Sequence, residues 1–143
     1  MNPNKAQGTR YEVHVRDRFR NAGWPAERLP EEGINDRGDA EAVLHGDTWI
    51  VEAKARQQMQ LHSALAKAKR KADGRPALLF WKRLLPVPGK RRRQPVAGVA
   101  ELVCMTPSDL LLLLEAGRSG PCKSCATTDE LAIMPAEGEE NDV

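Results

Sequence analysis

Apolar and polar positions change period several times along the chain, and each change marks an element. From residue 4 to 22, Val13, Val15, Phe19 and Ala22 make an apolar stripe with Tyr11 at its edge. Arg10, Arg16, Asp17, Arg18 and Arg20 fall mostly elsewhere, which predicts a helix. Gly23 stands where that helix would end, and Pro25 follows it. Residues 26–32 are a short strand candidate interrupted by Pro30, and Glu31 to Gly38 is a polar, Gly-containing loop. Ala40 to His45 and Thr48 to Ala55 read as hairpin strands around a Gly46-Asp47 turn, with His45 opposite Thr48.

Gln57 to Asp73 has Leu61, Leu65, Ala68 and Ala72 at helical spacing, then Gly74 and Pro76 as stop signals. Ala77-Leu78-Leu79-Phe80-Trp81 is a continuous apolar run, the pattern of a buried strand. Leu84 to Pro95 is a basic loop with three prolines, and Val96 to Met105 reads as another strand. Thr106 offers an N-cap with Pro107 in the first helical position, opening a helix through about Ala116. Residues 118–143 are expected to be irregular, with Pro135 to Val143 disordered.

The order of helix, three strands, helix, two strands and helix predicts an α/β fold. It would be a single domain over residues 1–117, with a central mixed sheet flanked by helices. A chain of 143 residues with 41% hydrophobic content suits one such core. No apolar run approaches the roughly eighteen residues that a membrane span needs. The N-terminus also lacks the apolar region of a signal peptide, so a cytoplasmic protein with no membrane partner is expected. The odd cysteine count (Cys104, Cys122, Cys125) is then expected to be reduced thiols.

Charge changes the picture more than composition does. The net +2 conceals a body, residues 1–123, with 22 basic against 14 acidic side chains, a net +8. The last twenty residues carry six acids and no bases. A basic body with an acidic tail points to a polyanionic partner.

The candidate chemistry lies in Gly38-Asp39 and, thirteen residues on, Glu52-Ala53-Lys54. Continuing the hairpin outward pairs Asp39 with Lys54, and Glu52 shares their face because side chains alternate along a strand. Asp39 and Glu52 would then lie within roughly 7–8 Å, a diagonal cross-strand distance. Two acids so placed can hold a hard divalent cation, and a neighbouring lysine can act on a bound water or phosphate. The spacing looks like that of a nuclease. The alternative is a solvent face of an amphipathic strand, but Trp49-Ile50-Val51 is apolar on both faces, which makes unpaired charges at its end costly. The same register puts Glu41 opposite Glu52, as a further acid or as a sign that the pairing slips.

These features resemble the PD-(D/E)XK nuclease superfamily over roughly residues 5–115. Within it the chain looks most like small archaeal-type Holliday junction resolvases and related phage-encoded endonucleases. Gly38-Asp39 stands where the family has its aspartate, although no proline precedes it, and Glu52-Ala53-Lys54 occupies the Glu-x-Lys position. Gly8-Thr9-Arg10-Tyr11-Glu12 resembles the family's first-helix segment. The resemblance implies a restriction-endonuclease-like αβββαβ core in which Asp39 and Glu52 bind Mg²⁺ or Mn²⁺, and Glu12 reaches the metal directly or through water. Lys54 would orient or deprotonate the attacking water. It also implies branched DNA as substrate and a homodimer.

From the residues alone, Glu12 could instead pair with Arg16 one turn away. Lys67, Lys69, Arg70 and Lys71 at the end of the second helix are candidate phosphate contacts. So are Lys82, Arg83, Lys90, Arg91, Arg92 and Arg93 beyond it. Each cluster could equally be a solvated face. His14, His45 and His62 have no metal-ligand spacing, and Cys122 with Cys125 is half of a zinc knuckle at most. Aromatic residues are few, so an exposed base-stacking platform is not expected.

Overall fold

Helix α1 runs Pro3–Asn21 and buries Tyr11 and Val15, with Phe19 packed beside them. It stops at Gly23, whose φ of +90° is open to glycine. The Gly23 N–H donates to the Arg20 carbonyl at 3.0 Å and the Trp24 N–H to the Phe19 carbonyl at 2.9 Å. That pair of bonds satisfies the last helical carbonyls. The computed structural model describes residues 3–31 and 36–119.

Strands β1 (Ala26–Arg28), β2 (Ala40–Leu44) and β3 (Asp47–Arg56) form an antiparallel meander. Helix α2 (Leu61–Ala72) then crosses to β4 (Ala77–Leu85), which pairs with β3 in parallel. Strands β5 (Gln94–Pro95) and β6 (Glu101–Cys104) both pair antiparallel with β4, and α3 (Pro107–Ser119) follows. The result is an α/β fold on an open mixed sheet of six strands among the described residues.

The sheet is covered on both faces. Trp49, Val51, Ala53, Leu78 and Phe80 share one core with Tyr11 and Val15 of α1. Ile50 and Ala77 share a second with Ala68 and Ala72 of α2, where small side chains let the helix lie close on the strands. This two-sided burial explains why Trp49-Ile50-Val51 is apolar without alternation. At the end where β3 and β4 begin, the Ala77 N–H donates to buried Asp109 of α3, and Gly117 lies beside His45. The opposite end of the sheet carries Glu52, Lys54 and Asp39.

Four sequence expectations are corrected. Helix α2 begins at Leu61 rather than Gln57, so Gln57 to Gln60 form the loop that leads into it. The hairpin turn is His45-Gly46, with φ of +51° and +85°, and the register pairs Leu44 with Asp47 rather than His45 with Thr48. A mirror-image turn of this kind needs two positive φ angles, and His45 takes the first with its ring edge-on to Trp24 at 4.9 Å. The shift is two residues, so every side chain keeps its predicted face. Strand β4 continues past Trp81 to Leu85, which makes Lys82 and Arg83 strand residues and takes Leu84 and Leu85 out of the expected loop. The strand expected over 96–105 forms only as β6 at Glu101–Cys104, with Gly98 (φ +78°) before it, and the two residues of β5, Gln94–Pro95, lie in what reads as loop.

Thr106 caps α3 as expected, its Oγ1 accepting the Asp109 N–H at 3.1 Å. The helix extends past Ala116 to Ser119. The acidic tail beyond it, with Cys122 and Cys125, lies outside the described residues. Among the described residues no helix is long and apolar enough to cross a membrane.

Candidate active site at the end of β3

Glu52 continues the buried run of β3 and is only 2% exposed, so it is not part of a solvent face. A carboxylate buried there needs cations. Lys54 Nζ lies 2.9 Å from one oxygen and Lys71 Nζ of α2 lies 2.6 Å from the other. Lys54 also reaches Asp39 Oδ2 at 3.0 Å, and Lys71 reaches Asp36 Oδ2 at 2.6 Å. The groups form one chain, Asp36–Lys71–Glu52–Lys54–Asp39, with three carboxylates against two ammonium groups.

Asp39 sits where the β2–β3 ladder ends. Its N–H donates to the Val51 carbonyl at 3.0 Å, and its Oδ2 accepts the Ala53 N–H at 2.8 Å. These bonds aim the carboxylate at Lys54 although the two residues are not the cross-strand pair that the sequence suggested. Gly38 makes the approach possible. At φ +117°, a Cβ on residue 38 would lie 2.6 Å from Ile50 Cγ2. Gly38→Ala is therefore expected to cost about 1–3 kcal/mol through strain and overpacking. Urea unfolding measures this directly, and an unchanged midpoint would show that the loop does not depend on the glycine.

The register also settles Glu41. It stands opposite Ile50 rather than Glu52, and its carboxylate pairs with Arg75 at 3.2 Å.

Burial opposes charge on Lys54 and Lys71, but the neighbouring carboxylates outweigh it. Asp39 and Glu52 hold Lys54 above the usual lysine range, and Asp36 and Glu52 do so for Lys71. Asp36 is driven below the usual aspartate range: burial opposes this, but bonds from Lys71 and the Gly38 N–H prevail. Lys54 thus stays an ammonium at neutral pH in this arrangement, suited to orienting water and neutralising phosphate rather than to taking a proton. For a lysine raised on folding, the stabilisation is complete below the unfolded value of 10.5 and is lost as pH rises through the higher folded value. Urea midpoints are expected to show no loss from these pairs at mildly alkaline pH and a decline past 10.5. A Lys71→Met variant that declines as steeply as the wild type would contradict this.

Glu12 lies beside the same centre. It lines a cleft of about 280 Å³ with Gly38 and Asp39, and a second of about 590 Å³ with Lys54. Burial raises its carboxyl above the usual range, and Asp39 adds to the shift. Its cation is Arg28 of β1, with Nε at 3.0 Å and Nη2 at 2.9 Å from Oε2. The pair with Arg16 does not form, because Arg16 bonds Asp17 at 2.7 Å.

The expected phosphate contacts divide into two groups. Lys71 is held in the buried network, and Lys69 is held by Asp109 at 2.9 Å and the Arg75 carbonyl at 3.2 Å. Lys82 lies 3.9 Å from Glu101 and 5.7 Å from the Tyr11 ring centre. Lys67, Arg70, Arg83, Lys90, Arg91 and Arg92 are exposed and have no acidic partner among the described residues. Arg93 is half-buried and lines the 590 Å³ cleft near Lys54. The sequence reading missed the roles of Arg28, Asp36 and Lys71. Lys71 had a signal: it lies three residues after Ala68 on a buried helical stripe, where a charge requires an acid opposite.

Oxygen donors alone suit a hard divalent cation, and Asp39 and Glu52 converge on one ammonium group, where positive charge is already favoured. Among the described residues no trio of acidic, His or Cys side chains closes on one point. The pair that could hold an ion is therefore Asp39 with Glu52, the remaining ligands being water, which Mg²⁺ tolerates. Neither a known protein-family model nor any curated protein sequence matches the chain.

Proposed function

We propose that the chain is a metal-dependent DNA endonuclease on a restriction-endonuclease-like core, acting on branched DNA in the manner of a Holliday junction resolvase. The observation that carries this reading is Lys54 Nζ lying 3.0 Å from Asp39 and 2.9 Å from Glu52 at the open end of β3. The helix, antiparallel meander, crossover helix and parallel strand give the αβββαβ order the superfamily resemblance implies. A cation at the acid pair would supply charge against the phosphate and leaving oxygen. The chain's own part is to place Lys54 beside the reacting phosphate and to hold the Glu52 carboxylate in position with Lys71. Exposed Lys67, Arg83 and Arg92 supply phosphate contacts that fix the duplex without reading its sequence.

Symmetric cutting of two strands needs two sites, so a homodimer follows from the resolvase reading. Leu111 and Leu114 of α3 and Val103 of β6 are exposed apolar side chains that a second copy could cover.

The test is cleavage of synthetic four-way junctions, flaps and linear duplex with Mg²⁺, Mn²⁺ or EDTA. Paired symmetric cuts in the junction, abolished by EDTA, are expected. Cutting of flaps alone would move the proposal to a repair-type nuclease. Tight binding without cutting under any metal would leave a non-catalytic DNA-binding protein, in which the ion-paired acids are purely structural.

A further inference from the structure

Beside Glu52 and Lys54, on the α2 side of the sheet, lies a cleft of about 730 Å³ whose lining exceeds what hydrolysis of a phosphodiester requires. Its volume is within the roughly 300–1,000 Å³ range of small-molecule sites. One wall is Trp81, whose indole N–H donates to the Arg56 carbonyl at 3.1 Å, so the ring is fixed before anything binds. The loop between β3 and α2 adds the primary amides of Gln57, Gln58 and Gln60. Arg56, Lys67 and Arg83 also line it, and none has an acidic partner among the described residues, unlike Lys54, Lys69 and Lys71. Helix α2 starts at the same cleft with no side-chain cap and no acid in its first turn, which leaves its N-terminus open to an anion.

We propose that this cleft takes one unpaired nucleotide of the DNA substrate, next to the phosphate held at Asp39, Glu52 and Lys54. The base stacks on Trp81, the glutamine amides meet its hydrogen-bonding edge, and the cations and the α2 N-terminus take its phosphates. A paired base has both faces stacked and its edge occupied, so only an unpaired one offers what these side chains bind. The inference rests on the nuclease reading for the identity of the substrate, and it gives that reading a source of preference for branch points, where pairing is interrupted.

The experiment uses the full chain in EDTA with flap and junction DNA carrying 2-aminopurine at single positions around the branch. Stacking on Trp81 is expected to change the fluorescence at one position for wild type and Trp81→Phe, and at none for Trp81→Leu. An abasic site at that position should weaken wild-type binding roughly tenfold or more, the scale of one aromatic–base stack. Should Trp81→Leu fail to fold, Gln60→Leu on the exposed loop carries the test, and its discrimination between base-bearing and abasic DNA should shrink. Equal affinity for base-bearing and abasic DNA at every position would overturn the proposal, as would a fluorescence change that survives Trp81→Leu. Both readouts are of binding, so base discrimination without cleavage in Mg²⁺ would overturn the nuclease reading and leave this one standing.

Discussion

Replacing Glu52 with alanine is expected to lower the unfolding free energy by about 3–5 kcal/mol, the cost of removing one partner from a buried ionic cluster. The residue is 2% exposed, and each of its oxygens touches a different ammonium group. Its removal leaves Lys54 with Asp39 and Lys71 with Asp36, each ammonium group stripped of one of its two carboxylates and facing a cavity where Glu52 had been. Lys71 fares worst, because its side chain is only 10% exposed and water reaches it poorly. Glu52→Gln keeps the shape and loses the charge, so about 1–3 kcal/mol is expected. Native domains hold about 5–15 kcal/mol in total, which would leave the alanine variant close to unfolding.

Urea denaturation of the three proteins measures these differences. The decisive comparison is Glu52→Gln combined with Lys71→Met. If the cluster is desolvated, removing both charges should recover part of the loss, because two neutral side chains of similar volume carry less desolvation cost than a buried charge left without its partner. A loss below about 1 kcal/mol for Glu52→Ala would place it with surface salt bridges and contradict the burial.

This cluster also shows where sequence reasoning reached and where it stopped. Asp39, Glu52 and Lys54 were legible because a face-preserving period of two survives a register error of two. The predicted turn at Gly46-Asp47 put Asp39 opposite Lys54. The actual turn moves the projected partner to Glu52, and the same three side chains still meet. What the alternation could not convey is how the ladder ends. Asp39 reaches Lys54 because Gly38 lets the backbone pass Ile50 closely and the Ala53 N–H captures the carboxylate. Those are properties of a loop end rather than of a periodic pattern.

Residues remote in sequence were less legible for the same reason. Arg28 comes to Glu12 from β1, across 16 positions, and Lys71 comes to Glu52 from α2, across 19. Lys71 was grouped with Lys67, Lys69 and Arg70 by adjacency, yet these four side chains leave a helix in different directions. Only Lys67 and Arg70 emerge exposed and without an acidic partner, while Lys69 fastens α2 to α3 through Asp109. A basic run on a helix is therefore read better by its angle to the buried alanine stripe than by its density of charge.

Lys54→Ala is expected to reduce the single-turnover cleavage rate by at least about 10²–10³-fold, the scale of losing one positioned group that stabilises transition-state charge. Its ammonium is the one element common to both site carboxylates, and it is held charged by them. Glu52 keeps Lys71 and Asp39 keeps the Ala53 N–H, but three carboxylates then face one ammonium group, so a stability loss of about 1–3 kcal/mol is expected as well and the rates are compared where both proteins are folded. Junction affinity in EDTA should then change only a few-fold, because exposed cations such as Lys67, Arg83 and Arg92 carry the phosphate contacts. Asp39→Asn provides the complementary case. It retains an oxygen for the Ala53 N–H but loses the charge that a divalent ion requires, so cleavage should fall while binding and unfolding midpoint stay close to wild type. Raising the Mn²⁺ concentration should recover part of the Asp39→Asn loss and none of the Lys54→Ala loss, since only the first weakens cation binding. Cleavage by Lys54→Ala at the wild-type rate would separate this cluster from the chemistry altogether and make it a brace between β3 and α2.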